Sequence, residues 1–221
     1  MMGRLALVAL LLGGAVSPLP AQATSATVAV LPFRDGGSYG QDRENFDALE
    51  VAIPALLRDL LGSGGGRVLS RDTIAAALPD SGGRLDAAAA AEVGRRVGAR
   101  YVVTGSFMDH YGRFRIDARI VDVDRAAIIA VVSNDPALQD RRQLFEMIRT
   151  VAQGVARKLE LAAPAAPGHA IPTDAITWYG RGLRSRDHGD KQAASGFFRR
   201  ALEADANFVQ ARAALRAAGS P

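Results

Sequence analysis

The chain has 221 residues, 48% of them apolar, with 27 basic and 23 acidic side chains and a formal net charge of +4. That length suits one or two domains with a real core, and the absence of cysteine excludes both a disulfide framework and a lipid-modified cysteine. All the basic residues except Lys158 and Lys191 are arginine, interleaved with Asp and Glu and never gathered in a block, so the positive charge does not point to a nucleic acid partner.

Arg4 supplies a short positive region, and Leu5 to Val16 is then almost wholly Leu, Ala, Val and Gly. That run is too short for a spanning helix, which needs roughly 20 apolar residues, and matches the apolar stretch of a secretory signal peptide. Ser17, Pro18 and Pro20 break it, and Ala21-Gln22-Ala23 places small residues where a signal peptidase reads. Residues 1–23 are therefore expected to be a signal peptide cut after Ala23. An uncleaved anchor or a buried helix from Met1 is the alternative. No later segment reaches spanning length.

Thr27 to Phe33 reads as a buried strand that Pro32 should end. After a Gly- and Asp-rich loop, Phe46, Leu49, Ile53, Leu56, Leu57 and Leu60 share a helical face, with Pro54 either kinking the helix or delaying its start. A short strand is expected around Val68 and Leu69, then Asp72 as an N-cap for a helix to Leu78, and a turn over Asp80–Gly83. Leu85 to Val97 is an alanine-rich helix closed by Gly98. Tyr101 to Met108 is a strand that turns at Tyr111-Gly112. Phe114, Ile116, Ala118 and Ile120 then alternate with Arg113, Arg115, Asp117 and Arg119, the pattern of a half-buried strand. Asp122 to Arg125 turns the chain into a strand over Ala126–Val132, and Leu138 to Leu161 is a long amphipathic helix. The expected fold class is α/β: a mixed sheet with a parallel β-α-β start, an antiparallel meander and helices packed on it.

Ala162 to Pro172, with three prolines, reads as a linker between an α/β domain over 24–161 and a helical segment over 173–221. In that segment Trp178, Gly182, Gly189, Ala194, Phe198 and Ala201 stand at the spacing of a tetratricopeptide repeat. Such a hairpin needs small residues where two helices approach and aromatics to fill the space between. The repeat is expected to have its turn at Asp187-His188-Gly189-Asp190 and a capping helix over Phe208–Ala218. Arg181 stands where the repeat has Leu, and Ala206 where it has Pro. One repeat cannot bury its own face, so it must pack on the α/β domain, on a second copy or on a partner.

Four blocks of the α/β region resemble the TolB-like amino-terminal domain, in the wider group of FlgO-like and CsgG-like envelope proteins. They are Val28-Ala29-Val30-Leu31-Pro32-Phe33, Val68-Leu69-Ser70-Arg71, Gly94 to Ser106, and Arg115 to Asp122. The resemblance spans about Thr27 to Leu161, and a following tetratricopeptide repeat is familiar in that group. It implies a non-catalytic module that binds partners or assembles at the envelope. No cysteine follows the signal peptide, so a lipoprotein of the CsgG kind is not expected. Nor are there leftover paired strands for a membrane barrel.

A search for chemistry finds little. His110, His169 and His188 lack a second ligand at metal spacing. Asp122 and Asp124 suit a cation less well than a solvated turn. Gly62 to Gly66 lacks the Gly-Lys-Ser/Thr ending of a phosphate loop, and Gly105-Ser106 has no nucleophile elbow. The expectation is a protein without enzymatic activity or cofactor, located in the periplasm with outer-membrane association left open. It would bind protein partners, or a second copy of itself, through Trp178, Tyr179, Phe197 and Arg181. The alternatives are a homo-oligomeric assembly factor and a sensor domain for a glycan or small molecule.

Overall fold

Apolar, β-branched residues form β1, Val28–Asp35, in a computed structural model that describes residues 26–78, 85–135, 137–165 and 168–219. The expected signal peptide and the expected turn at Asp80–Gly83 lie outside those residues. Pro32 does not end the strand. The register slips between Val30 and Phe33, so the proline, with no N–H for the ladder, sits in an irregularity. The slip also resets the side-chain alternation. Val28, Val30 and Phe33 all face one apolar cluster, while Ala29 and Leu31 face another.

The helix α1, Arg43–Ser63, starts well before Pro54 and runs through it, with its apolar stripe buried as the spacing requires. The strand expected around Val68 is reduced to one parallel bridge with Val28. It is held by the Val28 N–H on the Arg67 carbonyl and the Leu69 N–H on the Val28 carbonyl, each at 2.9 Å. The short helix α2, Arg71–Ala75, is capped by Ser70 and not by Asp72: the Ser70 Oγ accepts from the Thr73 N–H at 3.2 Å. Asp72 lies one residue inside the helix, where a negative charge favours the N-terminal turn. Asp86 caps α3, Ala87–Arg96, by accepting from the Ala89 N–H at 2.8 Å.

The strands β2, Tyr101–His110, β3, Arg113–Asp122, and β4, Ala127–Ser133, form the antiparallel meander, and β1 pairs with β2 in parallel. The order β1-β2-β3-β4 is the mixed sheet expected from the sequence. The long last helix of this region starts later than its pattern suggests. Gln139–Asp140 forms a two-residue strand, β5, beside the start of β3, and Arg141–Gln143 makes a 3-10 turn. Only then does α4, Leu144–Lys158, begin. Phe114, Ile116, Ala118 and Ile120 join the cluster shared with α1 and α4, and the opposite face carries α2 and α3.

Three further helices follow: α5, Thr173–Asp187, α6, Lys191–Ala204, and α7, Val209–Gly219. They pack in succession, and α5 also lies along α1. The apolar cluster on the α1 face of the sheet therefore continues through Ile176, Tyr179 and Leu183 to Phe198 and Phe208. The chain leading to α5 is tied at several points. The Ala165 N–H donates to the Ser63 Oγ at 3.1 Å, Ile171 is buried, and the Thr173 hydroxyl donates to the Arg141 carbonyl at 2.8 Å. Among the described residues, no helix is long and apolar enough to cross a membrane.

The end of β3 is fastened by charge. Arg100 donates to both oxygens of Asp122 at 2.7 and 2.9 Å, the Arg125 N–H adds a third bond at 3.0 Å, and Arg100 also reaches Asp124 at 3.4 Å. The acidic pair weighed for a cation is thus bridged by an arginine. The Arg100 guanidinium and the Arg125 N–H hold the Asp122 carboxyl down from an ordinary 3.8 to about 2. A carboxylate depressed in the folded state stabilises above its unfolded pKa and loses that contribution as pH falls through the folded one. Asp122→Asn is expected to unfold at a lower temperature than the parent at pH 7. That difference should shrink between about pH 4 and pH 2, as scanning calorimetry across that range will show.

Candidate functional site

The helix α5 carries two glycines, Gly180 and Gly182, separated by about 200° around the axis, so they face nearly opposite sides. A Cβ at Gly180 would run into the backbone carbonyl of Ala48 on α1. A Cβ at Gly182 would run into the ring of Phe198 on α6. Both helices thus approach α5 closely enough to leave no room for a side chain. The Gly182–Phe198 approach is the one the repeat spacing predicts, while Gly180 is a contact that spacing does not reveal.

With α5 held on both sides, its aromatics divide. Tyr179 is buried, its ring centroid 5.9 Å from Phe198 and 5.0 Å from Phe208. Expected at the binding surface, it belongs to the core in this structure, packed on Phe198 and Phe208 and close to Arg58 and Asp59 of α1. Burial pushes its hydroxyl up to about 12, so the phenol stays neutral over the physiological range. Trp178 and Phe197 lie on the outer side, half-buried and stacked, with centroids 5.9 Å apart and planes at 15°. Two guanidinium groups sit over the indole, Arg181 at 5.0 Å and Arg200 at 4.9 Å. Arg200 is exposed and was not singled out from the sequence. Its position three residues after Phe197, one helical turn along α6, is the signal that would have found it.

Arg181, the departure from the repeat pattern, has a structural task. It lies across Trp178 and reaches α1, donating to the Asn45 Oδ1 at 2.9 Å and pairing with Glu44 at 3.3 Å. Its Nε is buried without a hydrogen-bond partner. Arg184 pairs with Asp47 at 3.0 Å, and Arg71 forms a two-point ion pair with Asp187. Phe197 and Arg181 line an open cleft of about 360 Å³, to which Glu44, Asp47, Arg184 and His188 contribute. The four residues expected at a binding surface thus separate. Trp178 and Phe197 stack on the outer side of α5 and α6, Arg181 reaches from them to α1, and Tyr179 is buried.

Of the other side chains weighed for chemistry, His110 and His169 lie outside this cleft and His188 is at its edge. His110 meets the edge of Tyr39, His169 pairs with Asp205 at 2.8 Å, and His188 bonds the Arg184 carbonyl at 2.8 Å. Gly105 lies in the middle of β2 under the Phe33 ring, where a Cβ would collide. That glycine serves packing, and Ser106 beside it stands on a flat strand.

No family model matches the chain, and no curated protein matches it. Solved structures similar to it include the following three. The LpoB C-terminal domain from Escherichia coli has a TM-score of 0.38 and 19% identity, over 49% of this chain and 80% of that one. TolB from Acinetobacter baumannii has 0.39 and 17%, over 69% of this chain and 30% of that one. The PelC dodecamer from Paraburkholderia phytofirmans has 0.38 and 16%, over 63% of this chain and 91% of that one. With every TM-score under 0.4, the likeness assigns neither a family nor a partner.

The two glycine environments lead to opposite expectations. Gly180→Ala gains roughly 1 kcal/mol of helix propensity but forces α5 away from Ala48, and is expected to lower stability by roughly 1–3 kcal/mol. Gly196, inside α6 with nothing within 4 Å of its would-be Cβ, meets no such obstacle. Gly196→Ala is expected to stabilise by about 0.5–1 kcal/mol. Urea unfolding of both variants distinguishes this from a chain in which propensity alone decides, where both would stabilise.

Proposed function

We propose that the chain is a non-catalytic protein-binding adaptor of the bacterial envelope. It would be exported through residues 1–23 and would present the outer face of a tetratricopeptide-like hairpin, α5 and α6, to a protein partner. The observation that carries this reading is the half-exposed Trp178–Phe197 stack with Arg200 over the indole. Interface energy concentrates in aromatic and arginine side chains that meet a partner in a water-excluded pocket, and this stack places both kinds on a rigid helix pair. A partner suited to it carries an apolar side chain for the ring faces and a carboxylate for Arg200.

Two further observations support a binding role. Two positions weighed for chemistry have structural partners: Asp122, weighed with Asp124 for a cation, is held by Arg100, and Gly105, weighed with Ser106 for a nucleophile elbow, lies beneath Phe33. The stack is also held from behind, because α5 is fixed on α1, so little ordering remains to be done on binding.

Affinity capture from a bacterial envelope extract tests the proposal, using the full chain, Arg200→Glu and Trp178→Ala. Both variants are expected to hold at least about tenfold less of the captured partner. Their far-UV circular dichroism should match the parent, because Arg200 is exposed and Trp178 half-exposed. Capture of the same proteins in the same amounts by both variants would remove this face from the binding role.

A further inference from the structure

A cavity of about 110 Å³ opens where α1, α2 and α5 meet the sheet, away from the Trp178 face. Its walls are mostly apolar, with Val30, Pro54, Ile74 and Leu78 among them, and two arginines, Arg58 and Arg71, also line it. Arg71 is already neutralised by its two-point pair with Asp187. Arg58 is not. Among the described residues its guanidinium makes no hydrogen bond or contact ion pair, and Asp59 acts on it only from further away. Burial lowers its pKa from the ordinary value, against the opposing pull of Asp59. A site with apolar walls and one underused cation is complementary to an anion with a hydrocarbon end. The guanidinium fork is shaped for a carboxylate in particular.

The volume limits the hydrocarbon. An apolar cavity of about 150 Å³ accepts benzene, so this smaller one suits a branched aliphatic group of about four carbons. We propose that the cavity binds a short branched aliphatic monocarboxylate, its apolar end against Val30, Pro54, Ile74 and Leu78 and its carboxylate on Arg58. The proposal is independent of the Trp178 surface, since neither Trp178 nor Phe197 lines this cavity.

Heteronuclear NMR titration of the full chain tests it, with isovalerate as the probe and three comparators: acetate, isoamyl alcohol, and a capped tripeptide ending in valine. Isovalerate is expected to shift the Ile74 and Arg58 signals saturably. Acetate lacks the apolar end and the alcohol lacks the charge, so each should bind at least about tenfold more weakly. Arg58→Met keeps the side-chain bulk and should weaken isovalerate by at least about tenfold, whereas Arg199→Met, at an exposed position on α6, should leave it unchanged. Acetate or alcohol binding as well as isovalerate would overturn the proposal without any variant. So would undiminished affinity in a folded Arg58→Met, or saturable binding by the tripeptide alone.

Discussion

The backbone of α5 touches the backbone of α1 at Gly180 and Ala48, and the rest of the molecule is arranged around that contact. Because α5 can come no closer or turn no further, Tyr179 must enter the core and Trp178 must face outward. The same placement brings Asp187 to Arg71 and so completes one wall of the cavity at Arg58. On the far side Gly182 receives Phe198, which positions α6, and the Phe208 ring against Tyr179 then positions α7. A helical hairpin alone has an apolar face without a cover; here α1, a helix of the sheet region, packs along α5 and covers it.

Magnitudes decide which interactions hold α5 in place. Burying Ile176 and Leu183 is worth roughly 1.5–3 kcal/mol each. The Arg181–Glu44 pair, whose glutamate side chain is 78% exposed, belongs to the class of surface ion pairs worth about 0–1 kcal/mol. Arg181 also leaves its Nε buried without a partner, which works against stability. Packing therefore holds the helix, and the charged pairs with Glu44, Asp47 and Arg71 select its register along α1 and α2. This division explains an arginine at a position where a leucine would fill space more cheaply. It stacks on Trp178, spans to Asn45 and so couples the exposed aromatic face to the sheet region.

Periodicity made the sheet legible. Phe114 to Ile120 alternate in the sequence as they alternate in burial, and the parallel start followed by a meander comes directly from where the helices fall. Local competition accounts for the differences. Pro32 is absorbed by a register slip instead of ending β1, Ser70 caps α2 ahead of Asp72, and β5 with its 3-10 turn takes the residues that seemed to open α4. In the candidate site, Trp178 stands at repeat spacing, and Phe197 directly precedes Phe198, which stands there too. The burial of Tyr179 and the role of Gly180 could not be read from that spacing, because both depend on α1, more than a hundred residues earlier. The misfit at Arg181 was the one trace of that distant contact in the local pattern.

Trp178 is the only tryptophan in the chain, so its fluorescence reports the α5–α6 face while far-UV circular dichroism reports every helix and strand. If α5 is a shared wall of the sheet region and the helical hairpin, the two signals should follow one transition in urea, with the same midpoint and slope. A Trp178 transition completed at lower urea than the loss of ellipticity would contradict the account, showing that the C-terminal helices come away while the sheet and α1 remain folded.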